Sequence, residues 1–415
     1  MSRMASKLVE KVFIKPSSPT PESLRHYNLS SYDQLMPEYY ISCMLFYPNP
    51  HHEISTICLQ LKNSLSKTLV PYYPLAGRLV KNDYIDCNDQ GIEFIQVRIH
   101  CQLDSFLKKT RFYAADQNLL CGSAEDSLVV VQLSHFDCGG VAIAVSISHK
   151  VADGSAAAAF MNDWALSTRL SSHMPTPLLV SDSLFPPGNN VISRPFVPCH
   201  NCVMRRFLFP VEDIEKLKTK AIESGILGPT KVEVVIALLY QCATVAKRSS
   251  RNGFSRTSVL SQTVNLRPSL KLPQNAIGNM FSLHFCFVED DKMEIPALIG
   301  EIRKAKLKLR KLPYESQMKE LGESLEKLDP NTVDIYVFSS LCGFPIYDID
   351  FGWGKPTRVQ AFQNEINNQI FLMDSPQDGI EAFVILEEEM ISAFENNELL
   401  LPFTSLDSIK LKSKI

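Results

Sequence analysis

The stretch VAIAVSISHKVADG, residues 141–154, decides the fold. From 141 to 148 large side chains alternate with small ones at period two, the pattern of a buried strand. The run before it, 128–133, is β-branched and apolar, and Gly139-Gly140 supplies a turn between the two. Two buried strands joined by a glycine turn are therefore expected. Beyond His149 a short loop reaches Ser155 and an alanine-rich run with Phe160 and Trp164, which reads as a helix. His149 then stands at a strand end, where rigid backbone can hold a side chain out into a cleft. An imidazole there titrates near neutrality and can act as a general base. A histidine satisfied within the core or at the surface gives the same local pattern, so these residues alone leave both readings open.

Working outward, Ile54, Ile57, Cys58, Leu61, Leu65 and Leu69 share one helical face, and Pro71 stops that helix. On the C-terminal side Ile214, Leu217 and Ala221 mark a helix that Gly225 ends. Thr230 and Glu233, in capping-box spacing, open another through Val232, Val235, Ile236 and Leu239. A further helix is expected over 298–312, with strands at 335–339 and 380–386. Helices and strands interleave in both halves, so the expected class is α/β, layered in each half. Between 171 and 198 periodicity gives way to Pro175, Pro177, Pro186, Pro187, Gly188, Pro195 and Pro198, an extended crossing. The 415 residues thus divide into an N-terminal domain (1–170), a crossover linker (171–200) and a C-terminal domain (201–415).

Composition narrows the function. Hydrophobic residues make up 45% and charged ones 21%, as in an ordinary globular chain rather than a disordered one. Lys and Arg number 42 against 45 Asp and Glu, a net charge of -3 that gives no field to draw in nucleic acid. No apolar run approaches membrane-span length, and the N-terminus lacks the apolar core of a secretory signal, so a cytoplasmic protein is expected. The 11 cysteines are scattered, with a single C-x-x-C spacing at Cys199 and Cys202, and free thiols are expected in preference to a disulfide framework or zinc site. His149 with Asp153 lacks the further ligands a metal requires, and no G-x-S-x-G elbow supports a serine hydrolase.

A second segment supplies the context that His149 lacks. H-x-x-x-D-G at 149–154, taken with Asp350, Phe351, Gly352, Trp353 and Gly354, resembles the paired signature of the plant BAHD acyl-CoA-dependent acyltransferases. PYYPLAGRL (71–79), DCNDQG (86–91), FDCGG (136–140) and VNLR (264–267) also look like segments of that family. KPSSPTP (15–21), LFYP (45–48) and NAIGN (275–279) are most similar to the branch holding vinorine synthase, salutaridinol acetyltransferase and capsaicin-synthase-type enzymes.

The resemblance implies two chloramphenicol-acetyltransferase-like domains joined by a long crossover, with the active-site channel between them. It implies that His149 takes the proton of an acceptor hydroxyl or amine during direct attack on the CoA thioester. Asp153 and Gly154, with Arg267, would hold that base in position through a bidentate carboxylate–guanidinium pair. The loop Asp350, Phe351, Gly352, Trp353, Gly354 would be structural. Ser339 or Ser340 is the candidate hydroxyl for the oxyanion, although Leu341 stands where a Trp often follows in the family. Thr230 and Lys231 fall in the segment that contacts CoA, where a plain helix cap accounts for Thr230 equally well. The basic run from Arg303 to Lys311 reads as a solvated helix face. The co-substrate is expected to be acyl-CoA, in the first place acetyl-CoA, with no permanently bound cofactor and no metal. The expected acceptor is an alkaloid, sugar or other alcohol, and the expected state a monomer. An amine acceptor, or a non-catalytic member that has kept the fold for binding, is the alternative.

Overall fold

A computed structural model describes residues 6–109, 126–170, 172–188, 201–251, 256–288, 294–329, 332–361 and 367–406. Residue 171 and residues 189–200 of the expected crossover lie outside the described residues.

Val141–Ser148 is a strand buried along its whole length, paired antiparallel with Val129–Phe136 on one side and Tyr40–Tyr47 on the other. Its alternation sorts two cores. Val141, Ile143, Val145 and Ile147 face the helices Ile54–Thr68 and Gly154–Arg169, whereas Ala142 and Ala144 leave room on the opposite face for Met44, Phe46, Ile95 and Phe106. The two helices are tied to each other as well as packed. Trp164, fully buried, donates its indole N–H to Leu61 O and Ser64 Oγ at 3.2 and 3.1 Å.

Among the described residues this sheet has six strands, in the order Ser6–Ile14, Ile92–Ile99, Val129–Phe136, Val141–Ser148, Tyr40–Tyr47, Arg358–Ala361. The last strand comes from the C-terminal half and pairs antiparallel with Tyr40–Tyr47. Residues 201–415 therefore do not all lie with the second sheet, a departure from the simple division at the crossover.

The second sheet has seven described strands, in the order Phe281–Val288, Ser258–Asn265, Asp334–Ser340, Gln369–Asp374, Ile380–Glu387, Cys202–Phe209, Ser405–Leu406. Helix Lys231–Ser250, apolar nearly all round, is sunk between this sheet and the helices Val211–Glu223, Ile295–Lys311 and Glu388–Glu395. Its start is the capping box expected from sequence: Thr230 Oγ1 accepts from Glu233 N–H, and Glu233 Oε2 accepts from Thr230 N–H.

The described part of the crossover is not a free tether. Leu178–Leu179 pairs parallel with Ala276–Ile277, and Asn275 Nδ2 donates to Thr176 O at 2.9 Å. Of the cysteines, eight described ones are free thiols while Cys202 is disulfide-bonded, which departs from the expectation of free thiols throughout. No described helix is long and apolar enough to cross a membrane.

Candidate active site

His149 follows directly on its strand, and its N–H donates to Tyr39 O at 2.8 Å, extending the strand ladder by one more step. Val151 N–H donates back to Ser148 O, and Val151 and Ala152 are buried, so the chain is pinned on both sides of the histidine. The imidazole lies edge-on to Tyr39 with centroids 5.2 Å apart, and tilted to Phe281 at 6.1 Å. Its Nδ1 is buried, while the residue as a whole keeps some exposure. Burial pushes its pKa below the ordinary histidine value; its own carbonyl, the Asp153 charge and Asn279 oppose that shift, and Lys150 adds to it. A neutral imidazole at neutral pH is the form that can accept a proton. Lys150 itself turns away, donating from Nζ to Gln34 O and Asn82 Oδ1 at 3.1 and 2.7 Å, with its pKa lowered by burial.

Asp153 and Arg267 meet across the two halves. Arg267 NH1 donates to Asp153 Oδ2 at 2.7 Å and NH2 to Oδ1 at 3.0 Å, with both residues buried. Asp153 Oδ1 also accepts from Ala156 N–H, capping helix Gly154–Arg169, and Oδ2 accepts from Met280 N–H at 3.0 Å. Four donors occupy the carboxylate, so it does not orient the imidazole as the acid of a triad does. Arg267 is equally committed, donating to Ala276 O from both Nε and NH2 and to Gly278 O. Gly154 marks a second close approach: a Cβ there would come within 2.7 Å of Leu341 Cδ2, on the loop after Asp334–Ser340. Leu341, where the sequence departs from the family pattern, thus packs directly over the start of this helix.

Two residues that the sequence reading assigned no role complete the constellation. Asn279 donates from Nδ2 to His149 O at 2.6 Å and to Asp33 Oδ1 at 2.8 Å. Asp33, fully buried, takes a further hydrogen bond from Asn279 N–H and others from Ser30 and Ser181. The local signal was the spacing of Ser30 and Asp33, which form a capping box on the short helix Ser31–Leu35. Gly278 is required beside them, because its φ is 117° and a Cβ would meet Ser181 Oγ at 2.5 Å.

The other predicted residues lie apart from His149 in their bonding. Ser339 shares a face of its strand with Val337, opposite the face of Tyr336 and Phe338 that packs on helix Lys231–Ser250; Ser340 falls on that helix side and accepts from Cys342 N–H. Lys231 Nζ is held by Asp374 Oδ1 at 2.6 Å, and Asp374 Oδ2 accepts from Gly343 N–H. Arg303, at the head of the basic run, grips Glu233 and two loop carbonyls, and burial lowers the pKa of Lys306; neither is on a simply solvated face. In the segment 350–354, Asp350 Oδ1 accepts from Gly352 N–H and Gly354 N–H at 2.7 and 2.9 Å. Phe351 is buried against Trp164 and Tyr47 of the first domain and stacks on Trp353.

The Transferase family description matches residues 6–401. The chain belongs to that family, the BAHD acyltransferases. It is 59% identical to akuammiline synthase 1 of Alstonia scholaris over 412 residues, 97% of this chain and 98% of that one. It is 51% identical to minovincinine 19-hydroxy-O-acetyltransferase of Catharanthus roseus over 439 residues, 98% and 99% of the two chains. The crystal structure of vinorine synthase matches with a TM-score of 0.85 at 33% identity, covering 97% of this BAHD chain and 100% of that one. This BAHD protein is an acyl-CoA-dependent acyltransferase with the mixed α/β, two-sheet architecture of its relatives.

Proposed function

We propose that this BAHD acyltransferase moves an acetyl group directly from a CoA thioester to a hydroxyl of an alkaloid alcohol, with His149 as general base. The observation that carries the reading is the setting of His149: fixed at a strand end, with burial lowering its pKa and Nδ1 enclosed so that Nε2 is left to reach an acceptor. Nε2 takes the hydroxyl proton as the oxygen attacks the thioester carbonyl. The tetrahedral intermediate then expels the CoA sulfur, which recovers the proton from the imidazolium. Ser339, on the sheet face away from helix Lys231–Ser250, is the candidate donor to the oxyanion. The Catharanthus roseus relative, a minovincinine 19-hydroxy-O-acetyltransferase, supports both the acetyl donor and a hydroxyl acceptor.

The division into 1–170 and 201–415 around the 171–200 crossover, with Arg358–Ala361 lent to the first sheet, a monomeric state and a cytoplasmic location belong to this reading. Thr230 and Lys231 are its candidate CoA contacts. Steady-state assays of the purified protein with acetyl-CoA and a panel of alkaloid alcohols, read by free-thiol release and product mass, test it. Intersecting double-reciprocal lines and an acetylated alcohol are expected. Parallel lines with an acetyl-protein adduct would replace direct transfer by an acyl-enzyme, turnover with amines alone would replace the alcohol acceptor, and binding of the thioester without turnover would leave a binding protein.

A further inference from the structure

We propose that the acceptor of this BAHD acyltransferase lies against the aromatic row Phe281, Tyr32 and Tyr314, that the Tyr32 and Ser282 hydroxyls are its hydrogen-bonding partners, and that helix Tyr314–Glu326 is the lid that admits it. The inference rests on the acyl-transfer reading above and adds where and how the acceptor is recognised.

The row begins at the base. Phe281 lies 6.1 Å from the His149 ring, Tyr32 lies 6.5 Å from Phe281, and Tyr314 lies 5.9 Å from Tyr32, centroid to centroid. Phe185 backs the outer two, edge-on to Tyr32 at 4.9 Å and 5.0 Å from Tyr314. These rings come from four separate parts of the chain: the second sheet, the short helix Ser31–Leu35, the crossover and helix Tyr314–Glu326. Packed rings need no polar atom among them, yet two hydroxyls here are unused. Tyr32 Oη and Ser282 Oγ, the latter next to Phe281 on its strand, are buried on residues only 1% exposed, and neither makes a hydrogen bond to the described residues. Such groups are uncommon in native interiors, and phenylalanine or alanine would serve packing as well. Gln317 Oε1, one turn along the helix from Tyr314, is a third buried acceptor left open. Aromatic faces with a few hydroxyls between them recognise a flat, mainly apolar ring system that carries its own hydrogen-bonding groups, and a protonated ring amine gains further from the ring faces.

Helix Tyr314–Glu326 is held unlike its neighbour. Leu321 is the one residue it buries, whereas helix Ile295–Lys311 before it buries Leu298, Ile299, Ile302 and Leu309. Leu312 and Pro313 alone join the two helices. Its first turn is tied to the first domain by a hydrogen bond between Tyr314 Oη and Ser31 Oγ, and Met318 rests on the same aromatic cluster. A helix with so little buried surface opens readily. A swing about Leu312 and Pro313 withdraws Tyr314 from Tyr32 and Phe185 and uncovers the row that leads to His149.

The tests use the full-length protein with acetyl-CoA and the alkaloid alcohol of the panel that gives the highest kcat/KM. Tyr32→Phe and Ser282→Ala each delete a hydroxyl that the fold leaves unbonded. The unfolding midpoint should therefore hold or rise, while KM for the alcohol rises about 3- to 10-fold, as for loss of one neutral hydrogen bond, and KM for acetyl-CoA stays within about twofold. A merely structural hydroxyl would do the reverse. Tyr314→Phe keeps the ring and cuts the tie to Ser31. Amide hydrogen exchange over 314–326 should then speed up, and KM for the alcohol should fall, because the open form that admits it is more populated. A lowered midpoint with an unmoved alcohol KM in Tyr32→Phe and Ser282→Ala overturns the proposal. So does a rise in the KM for acetyl-CoA in place of that for the alcohol, or exchange over 314–326 unchanged by Tyr314→Phe. Midpoint and exchange are read without substrate, so turnover of no alcohol at all counts against the acetyltransferase reading and is told apart from failure of the lid.

Discussion

The turn at 149–154 and the loop at 350–354 are both short glycine-bearing corners set against aromatic rings, yet they dispose of their polar groups in opposite ways. In the loop, Asp350 turns its carboxylate onto the N–H groups of Gly352 and Gly354, and Phe351 fills the core of the first domain. The Asp350 Oδ1 contacts are closed on the loop's own backbone, and the next strand, Arg358–Ala361, joins the first sheet. In the turn, Asp153 reaches across to Arg267 and Met280 in the other half, and nearby His149 is only partly buried as a residue. On the proposed function, one segment of this paired signature carries the chemistry and the other is a clasp. Substitutions should therefore separate activity from stability.

The largest separation is expected at His149. His149→Ala should lower turnover by about 10² to 10⁴, the range for loss of a general base, while thermal unfolding stays near that of the parent. A folded variant with near-normal turnover would remove the distinction between the two corners altogether.

Asp153 and Arg267 should fall between the extremes, because in the proposed reaction they would act on His149 only through the fold. Replacing Asp153 by Asn leaves a buried guanidinium without its charge partner, and such losses cost about 3–5 kcal/mol. Arg267→Gln should cost a similar amount. In a double-mutant cycle the pair should couple strongly, and additive effects on unfolding free energy would show that the bidentate contact does not carry the stability assigned to it.

At the clasp the effect should be smaller and confined to stability. Asp350→Ala frees two backbone N–H groups and a loose pairing with Arg169 at 3.6 Å, for about 1–3 kcal/mol. The kcat per folded molecule should be retained. A drop in kcat as large as that of His149→Ala, in protein that unfolds normally, would mean that the loop takes part in the reaction.

Much of this contrast was legible from residues close together in the chain. The strand Val141–Ser148, the helix Ile54–Thr68 and the capping box at Thr230 announce themselves because their periodicity and caps are local. Arg358–Ala361 does not: four residues carry no usable period, and the strand exists only because Tyr40–Tyr47 offers it an edge. The Asp153–Arg267 pair was expected through family resemblance alone, since 114 positions separate the two. Asn279 closes the NAIGN segment quoted for that resemblance but had no role attached, and Asp33 had no such prompt. Their meaning comes from a contact spanning 246 positions, and one-dimensional pattern has no term for that.

The smallest effects, in pH, distinguish two histidines whose pKa values burial lowers. Both have lowered pKa values: His149 by burial against several opposing groups, and His284, under Lys306 in the second domain, by burial and that lysine's charge to about 3. With His149 as the proposed base, the neutral form is the active one, so kcat/KM should hold at neutral pH and fall on an acid limb below the ordinary histidine value of about 6.5. Stability obeys a related sign. A histidine kept neutral by the fold contributes fully above its unfolded pKa, and the contribution is lost as pH falls from there toward the folded value, at no more than about 1.4 kcal/mol per pH unit for each group. His284, with its folded value near 3, keeps losing throughout mild acid. His284→Gln should flatten the decline of unfolding free energy between neutral and mildly acid pH while leaving the kcat/KM limb in place, and His149→Gln should abolish the limb along with the activity. If His284→Gln moved the activity limb instead, the titration seen in kinetics would belong to the second domain's core rather than to the base at the strand end.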